Sequence, residues 1–285
     1  MHDLIIIGLG PAGINAGIYA ARSNLNILVI EKGAPGGKLN TIKEVHNYLG
    51  YENIMGPELA TNFYKHFKSL KIPMKNDEVL EIIDEGSIKK IVTTNNVYET
   101  KAIIVATGRG QKKLKGFEHI QGISYCTLCD ANLFKDKIIV FYGSNKEAIN
   151  EVMYLSDIVK KIYFICEDEQ IIVDKDNVEM IYNEKIVEIK EVNNIISKVV
   201  LEKQIIETDG MFINLGSGPS TYFCKNLKIV DENGYILTND KQETAIPGIY
   251  ACGDSIKKDI YQIINATSEG AIAAINANKY IKNIK

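Results

Sequence analysis

The opening HDLIIIGLGPAG constrains the fold more than any other stretch of the chain. A continuous apolar run such as HDLIIIG suits a parallel strand buried on both faces. It breaks into a turn with glycines at Gly8, Gly10 and Gly13, and PAGINAGIYAARSN then continues as a helix with small residues on its packing side. The next strand, LNILVIE, ends at Glu31. Each glycine has a physical task in this spacing. Gly8 permits the tight turn, Gly10 lets backbone approach a pyrophosphate, and Gly13 lets the helix sit close on the sheet. The helix N-terminus stabilises phosphate charge, and a carboxylate at Glu31 can accept hydrogen bonds from ribose hydroxyls. The stretch is therefore expected to bind a dinucleotide, without choosing between FAD and NAD.

The order of elements repeats downstream. After the first unit come a glycine-rich loop, GAPGGKLN, and a meander of short strands, VLEIID, IKKIVTT, VYET and AIIVA, with turns at Glu85-Gly86 and Asn95-Asn96. KIIVFYG, NKEAINEVMYLSDIV and KKIYFI then read as strand, helix and strand. A second meander follows (VEMIYN, KIVEIKEV, SKVVLEK, IIETDG and MFINLG) with a turn at Asn193-Asn194. Each half closes on a glycine, ATG at 106–108 and NLG at 214–216. A weak duplication of this kind implies two similar α/β domains. The tail, IPGIYACGD with the helical YQIINATSEGAIAAINANKYI, belongs to neither repeat and is able to complete the first domain discontinuously.

The 285 residues allow two modest cores, and a net charge of -3 argues against nucleic acid as the main partner. No apolar run reaches the ~18 residues of a membrane helix, and the N-terminal stretch reads as a strand without a basic leader. A cytoplasmic protein is expected. Five cysteines make a disulfide-stapled scaffold unlikely in a chain this long. One close pair stands out, Cys126 and Cys129 in YCTLCD. With scattered histidines and no second C-x-x-C, no metal site is expected. Two thiols at this spacing can exchange a disulfide, the thiolate being the nucleophile. Asp130 follows and could move a proton. The plain alternative is a pair of buried small cysteines beside a helix-capping aspartate; a dinucleotide site in the same chain favours redox chemistry. Cys166, Cys224 and Cys252 carry no expected chemistry.

Taken together, GLGPAG, PGGKLN, HNYLGY with MGPEL, ATG, YCTLCD, GSGPST, DENGYI and IPGIYACGD resemble, in order and nearly end to end, the low-molecular-weight thioredoxin reductase family of flavoproteins. The resemblance implies an α/β fold of two Rossmann-like, three-layer ββα domains, the first discontinuous. Residues 1–110 and 240–285 would bind FAD, and residues 111–239 would carry the cysteine pair. It implies a homodimer and thioredoxin as partner. It also implies FAD contacts from Gly8, Gly10, Pro11, Ala12, Gly13, Glu31, Gly37, Lys38, Leu39, Asn47, Thr107, Gly108, Gly253, Asp254, Gln262 and Ile263. Cys129 would face the flavin and Cys126 would attack the protein disulfide. A rotation between the domains is expected, because one pair must meet both flavin and thioredoxin. Lys38 stands where the family usually has glutamine, and Tyr261 where arginine usually precedes Gln262.

Departures in the second half bear on the electron donor. Members that use NADPH carry a second glycine loop and, after the next strand, a His-Arg-Arg-like run for the 2′-phosphate. Here the loop is GSNKEA, with Ser144 and Asn145 in place of glycines, and the basic run is replaced by CEDE, residues 166–169. A side chain at Asn145 intrudes where backbone must approach a pyrophosphate, and three carboxylates repel a phosphate. The nearest resemblance is to the ferredoxin-dependent flavin thioredoxin reductases, which lack nicotinamide binding. A ferredoxin at roughly -400 mV reducing a disulfide at about -270 mV releases on the order of 6 kcal/mol for two electrons. Arg109, Lys112, Lys113, Lys115, Lys257 and Lys258 are candidates for docking an acidic ferredoxin, against the plain reading of a solvated lysine surface. Three rivals share the scaffold: an NADH-dependent thioredoxin reductase, a dithiol oxidase passing electrons to oxygen, and a non-enzymatic flavin redox sensor.

Overall fold

The computed structural model describes residues 1–284 other than 113, 115 and 118. The chain divides into two compact units, one formed by Met1–Gly110 with Gly218–Lys285, the other by Gln111–Ser217. The return to the first unit falls at 217/218, earlier than the expected position near 240. The reason lies in packing: Phe223, Cys224, Ile229 and Ile236 are buried in a core cluster with Ile5, Ile7 and Ile103 of the first unit.

In the first unit the strands run Met74–Asn76, Ile27–Glu31, His2–Ile7 and Val97–Val105 across one sheet, all parallel. Residues 97–105, expected as two strands, are one. The first half of this strand pairs antiparallel with Ile88–Thr93, and its second half pairs parallel with Ile249–Ala251. No glycine or proline interrupts VYETKAIIV, so the strand changes partner without a turn. One face is covered by the helices Pro11–Ala21 and Ile263–Asn283, packed through Ala12, Ala16, Ala273, Ala274 and Ala277. Small side chains let these helices approach closely: a Cβ on Gly270 would lie 2.2 Å from the carbonyl oxygen of Ala12. The register pairs Ile7 with Ile30 and Val105, and Val105 with Ala251. GLGPAG, Glu31, ATG and ACGD therefore all emerge at one edge of the sheet.

The second unit repeats the plan. Ile123–Ser124, Gly210–Asn214, Ile138–Gly143, Lys161–Cys166 and Val178–Tyr182 lie side by side in parallel. The helix Lys146–Ser156 covers one face through Ala148, Val152 and Leu155. The antiparallel strands Ile186–Val192, Ile195–Leu201 and Ile205–Glu207 supply Ile189, Ile196, Val199, Leu201 and Ile206 to the core on the other face. Asn193 and Asn194 both take positive φ, 55° and 64°, as a two-residue hairpin turn between right-twisted strands requires. Both units are thus three-layer α/β folds of the Rossmann type. Among the described residues no helix is long and apolar enough to cross a membrane.

Candidate functional site

The first unit holds a cavity of about 510 Å³ at the edge where its glycine loops emerge. Of the sixteen residues expected at the flavin, all but Gly13 border it. Gly13 lies behind, where an added Cβ would meet the carbonyl oxygen of Gly8 at 1.9 Å, so its task is close helix–sheet packing. Gly8 has φ +99°, and a Cβ there would strike Ala106 O at 2.5 Å. In front of Gly10 the space is open, with no atom within 4 Å of its would-be Cβ. The helix Pro11–Ala21 begins at Gly10 without a side-chain cap, leaving its first amides available to an anion. Glu31 accepts the Leu9 amide on Oε2 at 2.6 Å and the Gly33 amide on Oε1 at 2.8 Å. Each carboxylate oxygen keeps a lone pair for a ribose hydroxyl. Asn47 Nδ2 donates to Gln262 Oε1 at 3.0 Å, and Thr107 Oγ1 donates to Ser220 O at 2.7 Å. An uncapped helix start, an open glycine and a fixed carboxylate in one cavity fit a dinucleotide with a pyrophosphate.

Two neighbours of this cavity, Asp77 and Tyr222, escape sequence reasoning. Arg109, expected at a docking surface, and Tyr261, a departure from the family pattern, also border it. Arg109 lies over the rings of Tyr261 and Tyr235, 5.2 and 5.9 Å from their centroids, and so packs on aromatic faces instead of standing on an open basic surface. Lys258 corrects the docking expectation as well. Its side chain is 12% exposed, and Nζ donates to Glu269 at 2.7 and 3.0 Å. Lys257 faces Asp231 at 3.4 Å. Lys112 is exposed, whereas Lys113 and Lys115 lie outside the described residues. Glu269 Oε2 also takes the amide of Gly253 at 2.8 Å. Burial pushes the Glu269 carboxyl above the ordinary range, while Lys258 pulls it back.

Cys126 and Cys129 form a disulfide in the second unit, with their Cα atoms 5.3 Å apart. The pair opens a short helix, Thr127–Asp130, immediately after the strand Ile123–Ser124. The Cys126 carbonyl accepts the amides of Cys129 and Asp130, both at 3.2 Å. Ser124 Oγ accepts the Cys126 amide at 3.1 Å and donates to Asp130 Oδ2 at 2.8 Å, fixing the carboxylate beside the turn. Cys129 and Leu128 are exposed, whereas Thr127 is buried. Thr127 Oγ1 donates to Glu151 Oε2 at 2.8 Å, and Asn214 Nδ2 donates to Glu151 Oε1 at 3.0 Å. Burial raises the Glu151 carboxyl above its usual range, and these two donors oppose the rise. A carboxylate at 151, three residues from Ala148 and four from Leu155 on the buried helix face, was the available sequence signal for this contact.

The GSNKEA loop is closed on itself. Asn145 caps its helix, Oδ1 accepting the Ala148 amide at 2.9 Å. Its Nδ2 donates to Asn214 Oδ1 at 3.0 Å and to Asn214 O at 3.2 Å. Ser144 Oγ accepts the Glu167 amide at 2.7 Å, and Tyr142 donates to the Glu167 carboxylate at 3.1 Å. The acidic run is thereby tied to the loop a phosphate would occupy. Cys166, Cys224 and Cys252 are buried free thiols; burial pushes Cys224 up to about 12 and also raises Cys252. Among the described residues no group of three or more His, Cys, Asp or Glu could hold a metal ion.

The chain matches the family model described as pyridine nucleotide-disulphide oxidoreductase over residues 2–270. It is 34% identical to the thioredoxin reductase of Bacillus subtilis over the whole of this chain and 96% of that protein. The crystal structure of Lactococcus lactis thioredoxin reductase is 35% identical, covers 99% of this chain and 100% of its own, and superposes with a TM-score of 0.76. A ferredoxin-flavin thioredoxin reductase from Clostridium acetobutylicum is 33% identical over 99% of this chain and 98% of its own, with a TM-score of 0.60. With the dinucleotide cavity and the cysteine disulfide, these likenesses make FAD its cofactor. The chain belongs to the pyridine nucleotide-disulphide oxidoreductase family, as a homologue of the thioredoxin reductases.

Proposed function

We propose that this oxidoreductase reduces the disulfide of thioredoxin through Cys126 and Cys129, and that reduced ferredoxin, not NADPH, supplies the electrons. FAD, when bound, accepts electrons singly and delivers them as a pair. The fifteen named residues that border the cavity would hold it, the amides after Gly10 its pyrophosphate and Glu31 its ribose, with Gly13 packing the helix behind them. Two electrons and two protons convert the Cys126–Cys129 disulfide to a dithiol, with Cys129 as the sulfur nearer the flavin. The Cys126 thiolate then attacks one sulfur of thioredoxin, breaking that disulfide and forming a mixed one. Cys129 attacks the mixed disulfide, restoring its bond to Cys126 and releasing reduced thioredoxin. Asp130, held by Ser124, moves protons to and from the pair. We place the protein in the cytoplasm as a homodimer.

The donor assignment rests chiefly on one observation: the Asn145 amide is spent on Asn214 where a nicotinamide nucleotide needs bare backbone. The likeness to a ferredoxin-flavin thioredoxin reductase is compatible with it. A second reading, a pyridine-nucleotide donor, is favoured by the family description and by the likeness to the thioredoxin reductases of Bacillus subtilis and Lactococcus lactis. Anaerobic mixing separates the two. Reduced ferredoxin should bleach the flavin and yield thioredoxin thiols, while NADPH and NADH do neither. Rapid bleaching by a pyridine nucleotide would reverse the donor assignment, and bleaching without thioredoxin thiols would remove thioredoxin as substrate.

A further inference from the structure

We propose that Asn145, Asn214 and Glu151 form a brace that positions the redox pair through Thr127, so that the residue closing the old nucleotide loop now serves the cysteines. The inference rests on the reading of Cys126–Cys129 as a working couple. Its basis is a chain of contacts in which each link fixes the next. Asn145 spends its amide oxygen on the Ala148 amide, which turns Nδ2 toward Asn214. Asn214 Oδ1 receives that donor together with the Gly216 amide at 3.1 Å, which leaves Asn214 Nδ2 to face Glu151. Glu151, with Oε1 taken, presents Oε2 to the Thr127 hydroxyl.

The parallel sheet explains why these residues meet. The register sets Gly143 beside Asn214 and Ser124 beside Phe212, so the strands leading to the loop, to Asn214 and to the cysteines finish at one edge. This edge is where open α/β sheets place their ligands. Here side chains occupy it. Thr127 is the buried member of the turn, followed by the exposed Leu128 and Cys129, with Cys126 and Asp130 half-buried at its ends. Its hydroxyl therefore anchors the CxxC turn to the sheet edge from inside. Thr127, Glu151, Asn214 and Asn145 are positioning residues; none is assigned contact with a reacting sulfur.

An anchored turn holds the two thiols of the reduced pair at high effective concentration, which favours the disulfide. Formation of that bond removes two electrons and two protons, accepted in the test below by oxidised dithiothreitol as it opens to its dithiol. Loss of one net hydrogen bond from the anchor should weaken the disulfide about fivefold, a potential ~20 mV less negative. The FAD-loaded protein is equilibrated anaerobically with dithiothreitol of varied redox ratio, quenched by alkylation and counted by mass for closed and open pairs. Thr127→Val should show the fivefold shift, and Thr127→Ser, which keeps the hydroxyl, should stay within twofold of the parent. Asn145→Gly, which keeps an accepted N-cap residue, should shift in the same direction. Adding it to Thr127→Val should move the couple no further, because both cut one chain. A Thr127→Val protein with lowered thermal stability and an unmoved potential would overturn the proposal, as would additive shifts in the double variant. If the potentials move as expected while the parent reduces no thioredoxin, the brace stands and the functional reading fails.

Discussion

Replacing Lys258 by methionine tests the electrostatics behind the flavin cavity. The exchange keeps most of the side chain's bulk and removes the ammonium from a pair in which both partners are about one-eighth exposed. Glu269 would retain the Gly253 amide and lose its countercharge. Breaking a buried ion pair by removing one partner costs about 3–5 kcal/mol, and the residual solvent contact places this case near 3. The cost must depend on pH. Glu269 is already raised by burial and held down by Lys258, so without Lys258 its carboxyl rises further. A raised carboxyl binds its proton more tightly in the folded than in the unfolded state. Stability relative to the parent is therefore lost as pH climbs from the unfolded value toward the folded one. Urea unfolding followed by release of FAD fluorescence reports this unit directly. The deficit should be near 3 kcal/mol at pH 8 and clearly smaller at pH 5. An equal deficit at both values, or none, would refute the assignment of an ionised Glu269 dependent on Lys258.

Cys126→Ser and Cys129→Ser should each abolish thioredoxin reduction, a loss of at least a thousandfold, while the flavin spectrum is unchanged; residual turnover above that would point to another thiol. After mild reduction of the native protein, a thiol reagent should modify two cysteines within minutes and reach Cys166, Cys224 and Cys252 only on unfolding, because all three are buried. Fast modification of a third would contradict their burial. Gly13→Ala drives a Cβ to within 1.9 Å of a backbone oxygen and should yield protein that fails to retain FAD, read as the flavin-to-protein absorbance ratio. Gly10→Ala, by contrast, should fold and bind FAD more weakly, since its would-be Cβ meets only the open cavity.

Local pattern made much of this legible. HDLIIIG, the glycine spacing and Glu31 follow from rules of a few residues' range, and they describe the β-α-β start as folded. Asn193-Asn194 likewise shows its turn in its own residue types. The unbroken strand through Thr100 was harder to read, because its two halves differ in partner, not in composition. The return to the first unit falls earlier than expected because Phe223, Ile229 and Ile236 choose their core by tertiary packing, which no local signal encodes. Similarly, a lysine after ACGD looks solvated until Glu269, eleven residues on, is seen to turn inward against it. Asn145 was legible as an obstruction. Its bond to Asn214, 69 residues away, and the onward path to Thr127 depend on strand order, and only the folded sheet reveals them.

The most direct test of the donor claim is calorimetric titration of the FAD-loaded protein with NADPH and NADH. A loop closed by Asn145 and faced by Glu167 predicts no heat of binding at millimolar nucleotide. Saturable binding in the micromolar range, weakened by substitutions at residues 143–148, would contradict it.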